Sequence, residues 1–300
     1  MNSSSKYQII KDSLGYMRVD PLPSEQDLEN YYANSYYQSP HGTYQTTYSE
    51  IESNQRKLRI ELIYQAVISI MESDTKNSKE ILDVGCGEGF LLAHFKDAGW
   101  NVLGFDFSDE GIKRQNPELM TELVKGNVYK ELDVLIKNDK KYDVIHLGNI
   151  LEHVIDPLGL IKKCSGLLSD SGILIITVPN DFSKLQKNLI ASKIIESEYW
   201  ICPPDHLNYF NLESLVKLQV ASNLNVLDSI CDFPIEWFLM NNHSNYINQP
   251  ALGKSAHLAR AHLDSLINSS PDSEMKLNFW RSMAALGFGR TITTFSKKNS

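Results

Sequence analysis

The sequence predicts an α/β fold built on an open, mostly parallel sheet, and three observations predict it. First, the short apolar run Ile81-Leu82-Asp83-Val84 ends in the glycine turn Gly85-Cys86-Gly87-Glu88-Gly89, and a helix-compatible stretch follows from Phe90 to Trp100. That is a strand, a tight turn and a helix N-terminus. Second, further apolar runs alternate with helical stretches as far as Asn180, the rhythm of strand–helix–strand units. Third, the run from Gly172 to Asn180 is apolar along nearly its whole length, as a strand buried on both faces must be.

Along the chain, Tyr16 to Pro23 reads as a short extended piece ending in Pro-Leu-Pro, and Ser24 with Asp27 forms a weak capping box. Six tyrosines then fall between Tyr31 and Tyr48, interspersed with glycine and serine. They predict a cap or lid, because tyrosine offers a flat face with one polar handle. Ser53 to Met71 predicts an amphipathic helix whose Arg56 and Arg59 face solvent, with contact to a ligand carboxylate as their alternative use. After the first strand come a second, Asn101 to Phe105, closed by Asp106, a third from Leu123 to Val128, and a fourth from Lys141 to Asn149. A helix is expected to run to about Leu168, and Asp170-Ser171-Gly172 reads as a turn before the fifth strand.

Beyond it, Cys202-Pro203-Pro204-Asp205-His206-Leu207-Asn208-Tyr209-Phe210 is a loop stiffened by two prolines, and Asn211 caps a helix to about Ser222. Asn225 to Ile230 and Arg290 to Phe295 complete the strands. The connection between them is too long for a hairpin, and Gly253 to Asn268 and Glu274 to Leu286 predict helices within it. The expected organisation is an N-terminal cap and lead-in helix over 1–70, a cofactor-binding core over 71–231, a helical insertion over 232–288, and the last strand and tail over 289–300.

Composition narrows the class. With 300 residues, 42% of them hydrophobic, the chain is long enough for one large core with a cap. No apolar run approaches the roughly 20 residues of a membrane span, and Met1 to Asp12 has no signal-peptide core. Cys86, Cys164, Cys202 and Cys231 have no metal-ligand spacing, so reduced cysteines in a cytoplasmic protein are expected. A net charge of −8 argues against a nucleic-acid partner.

The glycine turn points to a ligand that approaches the main chain. Asp106, at the end of the second strand, has the position of a carboxylate that accepts both hydroxyls of a ribose. Together they indicate a nucleoside-containing cofactor. The dinucleotide pattern Gly-x-Gly-x-x-Gly is not met, because Phe90 occupies the third glycine's place. A carboxylate at Asp83 suits a ligand carrying an ammonium group better than a pyrophosphate. A nicotinamide dehydrogenase is therefore disfavoured.

Asp83-Val84-Gly85-Cys86-Gly87-Glu88-Gly89 resembles motif I of the class I S-adenosylmethionine-dependent methyltransferases, and Leu151-Glu152-His153-Val154-Ile155-Asp156-Pro157 is similar to a later block of that family. The likeness is strongest from Glu80 to Asn180. It implies a seven-stranded Rossmann-like methyltransferase sheet with the last strand antiparallel, and S-adenosylmethionine as cofactor. It also implies that Asp83, Gly85, Cys86 and Gly87 hold the methionine end, that Asp106 takes the ribose and that Phe107 flanks the adenine. Asn127 and Val128 would meet the adenine edge, and Leu147, Gly148 and His153 would lie near the donor sulfur or the acceptor. The Pro-Pro-Asp-His-x-x-Tyr-Phe block resembles a bacterial group often linked to surface-polysaccharide or modified-sugar pathways. The resemblance thus implies methyl transfer, most simply to oxygen, onto a small molecule or a sugar or glycan.

A hydroxyl acceptor needs a base, and His206 is the first candidate, His153 the second, with Asp205 beside them. Some relatives bind a metal through Glu-x-x-Glu-His. Asn149 stands at the first carboxylate here, so no metal is expected. The insertion is expected to cover the acceptor or to form a homodimer face. The alternative function is a noncatalytic, methyltransferase-like subunit working through a protein partner.

Overall fold

The computed structural model describes residues 7–24, 26–28, 47–71 and 79–299. The tyrosines expected to form a lid, apart from Tyr48, lie outside the described residues. In chain order the elements begin with β1 (Gln8–Lys11), β2 (Met17–Asp20) and α1 (Glu50–Ile70). The alternating core follows: β3 (Glu80–Val84), α2 (Phe90–Asp97), β4 (Asn101–Asp106), α3 (Glu110–Gln115), β5 (Leu123–Lys125), α4 (Val128–Lys137), β6 (Tyr142–Gly148), α5 (Pro157–Leu167) and β7 (Leu168–Pro179). Then come α6 (Lys184–Ala191), β8 (Asn208–Tyr209), α7 (Leu212–Val220), β9 (Leu224–Cys231), α8 (Gly253–Asn268), α9 (Ser273–Ala285) and β10 (Thr291–Lys298).

The central sheet has seven strands in the order β5–β4–β3–β6–β7–β10–β9. β10 lies between β7 and β9 and runs antiparallel to both. The expected sheet, including its antiparallel last strand, is the observed one. Order reverses beside β3, where β4 lies on one side and β6 on the other, and ligands of open α/β sheets bind outside the strand ends at such a point. The apolar runs behave as double-faced burial requires. Ile81, Leu82, Val144, Ile145, Leu147 and Ile173 to Ile176 are all fully buried.

Three local features differ from expectation. Helix α1 starts at Glu50, because Ser49 and Glu52 cap each other reciprocally: the Ser49 N–H donates to Glu52 Oε2 at 2.9 Å, and the Ser49 hydroxyl accepts from the Glu52 N–H. Asp170-Ser171-Gly172 is no separate turn. It belongs to β7, where the register against β6 shifts between Tyr142↔Leu168 and Val144↔Ile173, so the strand absorbs the turn-like residues as an irregularity. The N-terminal residues also form more than an extended piece: β1 and β2 pair as a hairpin, and β2 pairs in turn with β8, placing Met17 opposite Tyr209 and Arg18 opposite Asn208.

The connection between β9 and β10 contains the expected helices α8 and α9. Helix α8 packs on α1 and α9 on β9. Among the described residues, no helix is long and apolar enough to cross a membrane.

Asp232 joins these pieces. Its carboxylate, fully buried, accepts from Arg59 of α1 at 2.7 Å and from Arg260 of α8, and from the backbone N–H groups of Arg290 and Thr291 at 2.7 Å each. Arg59 therefore does not face solvent as expected; its guanidinium is spent on this carboxylate. Burial alone would raise the Asp232 carboxyl, but Arg260, Arg59 and the Thr291 N–H outweigh it and hold the group at about 2. Replacing Asp232 by Asn leaves two buried guanidinium groups short of their counter-charge, and the expected loss is roughly 3–5 kcal/mol in urea denaturation. Because the folded-state pKa is depressed, the carboxylate's stabilisation is fully present above the unfolded value of about 4 and disappears as the pH falls toward 2. The stability difference between wild type and Asp232→Asn should shrink across that window.

Candidate active site

The glycine turn that follows β3 is held from below. Phe105 O, in β4, accepts the N–H groups of Gly85 and Cys86 at 2.8 and 2.9 Å. Asp106 Oδ2 accepts the Gly87 N–H at 2.8 Å, and its Oδ1 accepts the Ser108 N–H at 2.9 Å. Gly85 has φ +79°, and a Cβ there would stand 2.9 Å from Ile150 Cδ1. The position thus needs glycine for conformation and for space together. The first turn of α3 rests on this loop so closely that a Cβ on Gly111 would meet Gly87 O at 2.6 Å. Burial raises the Asp106 carboxyl, and the Ser108 and Gly87 N–H groups oppose that shift. Each of its oxygens keeps a further lone pair for a ribose hydroxyl.

Above the turn lies a cavity of about 820 Å³, within the range of cofactor sites. Asp83, Gly85, Cys86, Gly87, Asp106, Phe107, Val128 and Gly148 line it, and so do His153, Asp205 and His206. Phe107 is half exposed at the rim, with its ring open to a flat ligand, while Val128 is buried. Cys86 is a wall residue whose thiol is tucked toward β4, since a Cβ on Gly104 would stand 2.8 Å from its Sγ.

Two expected cofactor residues are placed differently. The side chain of Asn127 accepts from the N–H groups of Tyr129 and Lys130 as the N-cap of α4, and Asn127 is absent from the cavity wall. Leu147 is fully buried and also absent from the wall, because alternate residues of a strand face opposite sides of the sheet.

The second half of the cavity is built on loops. A short 3₁₀ turn, Leu151–His153, leaves β6, and the loop carrying Asp205 and His206 is stitched to it. Leu207 N–H donates to Glu152 O at 2.7 Å, and the Asn208 amide donates to Leu151 O and Val154 O at 2.9 and 2.7 Å. The Val19 N–H of β2 donates to Leu207 O at 2.9 Å from the other side. Tyr209 OH donates to His206 O at 3.0 Å and lies 3.2 Å from the Cys202 N–H.

The result brings His153, Asp205 and His206 together as expected. His153 Nδ1 lies 2.7 Å from the Asp205 carbonyl oxygen, and the two imidazole rings meet edge to face with centroids 4.9 Å apart. A carbonyl can only accept, so Nδ1 carries the proton and the neutral His153 ring presents its lone pair on Nε2. Burial lowers the His153 imidazole, and Asp205 opposes that shift. Burial, then His153 and Arg290, lower His206 to about 3.

Three residues in the wall escaped the sequence patterns. Glu152 is fully buried, and desolvation raises its carboxyl to about 8. Glu88, inside the glycine turn, accepts from Tyr48 OH at 2.7 Å and pairs with Arg56 at 3.5 Å, while the Arg56 guanidinium lies over the rings of Tyr48 and Phe90. His146 lies on β6 beside Asp83. The period-two alternation that removes Leu147 from the cavity is the one signal that puts its neighbours His146 and Gly148 into it.

A nucleoside-sized cavity at the strand ends of a seven-stranded sheet with this topology is the architecture of class I methyltransferases. Residues 55–229 match the family model of a methyltransferase domain, and the chain belongs to that family. Curated relatives agree. The chain is 26% identical over 161 residues to a ubiquinone biosynthesis O-methyltransferase of Coxiella burnetii, covering 53% of this chain and 69% of that one. It is 31% identical over 154 residues to the protein of the same name from Actinobacillus pleuropneumoniae, covering 46% and 65%. Among solved structures, a SAM-dependent methyltransferase from Archaeoglobus fulgidus superposes with a TM-score of 0.49 at 18% identity, over 81% of this chain and 94% of that one.

The protein is an S-adenosylmethionine-dependent methyltransferase, and the cavity residues fit that cofactor: a carboxylate for the ribose, a flat apolar rim for the adenine, and a buried carboxylate at Asp83 for the ammonium. Asp106→Ala removes an acceptor from the turn and from the ribose. Its affinity for S-adenosylhomocysteine should fall by at least about tenfold in titration calorimetry, with the circular dichroism of the folded protein retained.

Proposed function

We propose that this methyltransferase acts on a hydroxyl oxygen of a small-molecule or sugar acceptor, with His153 as the general base. The observation that carries the reading is the 2.7 Å contact between His153 Nδ1 and the Asp205 carbonyl, which fixes the ring tautomer and aims a lone pair from Nε2. When bound, the cofactor supplies an electrophilic methyl group on a sulfonium, and the protein's part is alignment and proton removal. His206 stays neutral, and an imidazole lowered to about 3 takes up a proton poorly.

The acceptor half also has buried polar atoms without a hydrogen-bond partner among the described residues: Glu152 Oε2, Asp205 Oδ1 and His206 Nδ1. Buried polar atoms are ordinarily paired, and these suit an acceptor that brings hydroxyl groups of its own. With its carboxyl raised to about 8, Glu152 is mostly protonated at neutral pH and acts as donor as well as acceptor. The O-methyltransferase names of the curated relatives support oxygen as the methylated atom. The Pro-Pro-Asp-His block supports a sugar acceptor by resemblance alone. Helix α8 contributes His257 and Arg260 to the cavity wall, which supports the insertion as a substrate cover.

A second reading rests on the same residues. Ligand atoms of Glu152, His153 and His206 lie within 4.8 Å of one another, close enough to share one cation, although Asn149 led to no metal being expected. Exhaustive treatment with EDTA should leave turnover unchanged if His153 is a base. Loss of turnover restored by Mg²⁺ or Zn²⁺ would instead assign the three side chains to a metal.

The direct test is transfer from labelled S-adenosylmethionine to panels of phenolic and sugar hydroxyl acceptors, with product identified by mass. His153→Ala should lower kcat by roughly 10²–10⁴ while leaving cofactor affinity within about threefold. Activity requires the neutral imidazole, so it falls as the pH drops through the His153 pKa. Burial has lowered that value, so the acid limb of the rate profile should lie below the ordinary histidine value of about 6.5. The limb should vanish in the variant.

A further inference from the structure

We propose that His146 is a cofactor-positioning residue, paired with Asp83 to form a two-sided acceptor for the ammonium group at the methionine end of S-adenosylmethionine. This rests on the cofactor assignment above and extends it to a residue that no motif singles out. β3 and β6 are parallel neighbours, and Asp83 and His146 are register partners across them. The His146 Nδ1 to Asp83 Oδ1 distance is 2.7 Å, and both side chains are almost fully buried. Both line the cavity next to Gly85 and Gly148. An ionised carboxylate can only accept, so Nδ1 donates to Asp83, and in the neutral tautomer this leaves, the lone pair lies on Nε2.

Charge compensation explains why a ligand is wanted here. The arginines around the cavity are already committed: Arg56 to Glu88, and Arg59 and Arg260 to Asp232. Asp106 accepts two backbone N–H groups. Asp83 has no lysine or arginine partner among the described residues; its one ion-pairing neighbour there is the imidazole of His146. A buried carboxylate in a cavity wall without a full counter-charge favours a cationic ligand. An ammonium group has three donors, and the Asp83 carboxylate and His146 Nε2 offer acceptors from two adjacent strands.

Space has been kept for the ring. A Cβ on Gly148 would lie 2.4 Å from His146 Cε1 and 3.0 Å from Nε2, so the Cε1 edge of the imidazole packs against Gly148, and glycine is required for it to sit there. The pair thus reaches the part of the ligand that distinguishes S-adenosylmethionine from a bare nucleoside.

The test compares two ligands by calorimetry: S-adenosylhomocysteine, which has the amino-acid end, and 5′-methylthioadenosine, which lacks it. His146→Phe should weaken S-adenosylhomocysteine by about tenfold or more and leave methylthioadenosine unchanged. His146→Gln, which keeps a donor for Asp83 and an acceptor beside it, should recover part of the loss; if the Phe variant does not fold, the Gln variant carries the test with a smaller loss confined to S-adenosylhomocysteine. Equal losses for both ligands, or no loss for either, would overturn the proposal while leaving the cofactor assignment standing. Wild-type protein that bound neither ligand would overturn the cofactor assignment and this inference with it.

Discussion

Asp232 sits at the end of β9 out of contact with water, and donors from three directions converge on it. Arg59 comes from the helix that precedes the core, Arg260 from the insertion, and two backbone N–H groups from the start of β10. Each alone would be a poor exchange of hydration for contact, because burying an ion is costly. Together they satisfy one carboxylate fully and align the segments that wall the cavity. Arg59 and Arg260 both reach the cavity wall, so the network that closes the fold also sets how α1 and α8 meet over the site. A second buried network continues along the same side: Arg290 donates to Asp181 at 2.7 Å and lies 3.9 Å from Glu236.

The two halves of the cavity are made rigid in different ways. The cofactor half hangs from strand ends, where ladder bonds and close-packed glycines leave the turn little freedom. The acceptor half is loop, and loops hold geometry only when their backbone groups are engaged. Here the Leu151–His153 turn and the Asp205–Tyr209 segment bond to each other and to β2 through main-chain groups and the amide of Asn208. Desolvation then sets the chemistry. It keeps both histidines neutral and Glu152 mostly protonated, so these three side chains of the loop half carry little charge at neutral pH.

Much of this was legible in the sequence, for local reasons. A glycine turn after an apolar strand, Asp106 closing the next strand, and apolar runs at regular intervals report backbone requirements that act within a few residues. Those signals place the strands along the chain and the glycine turn, while the antiparallel place of the last strand came from the family resemblance. What was not legible depends on contacts across the fold. Asn127 has the right position for an adenine contact, yet its amide caps α4, because an N-cap competes for the same oxygen. Arg59 looks like a solvated helix residue until Asp232, far along the chain, is seen to take it. The Asp83–His146 pair exists only through the register of β3 on β6, and the choice of His153 over His206 depends on the Asp205 carbonyl that meets His153 Nδ1. The Asp170-Ser171-Gly172 stretch has turn residues, but the demand for a continuous β7 prevails.

The small sheet of β1, β2 and β8 has a consequence for how the protein comes into being. On the ribosome the β1–β2 hairpin is made long before β8, which is only two residues long. Two-stranded hairpins are marginal in isolation, and a contact this distant in sequence bears the entropy of a long loop and forms slowly. The β2–β8 pairing, which braces the loop carrying Asp205 and His206, therefore forms late. A newly made chain would then pass through a stage in which β1 and β2 wait without the third strand of their sheet.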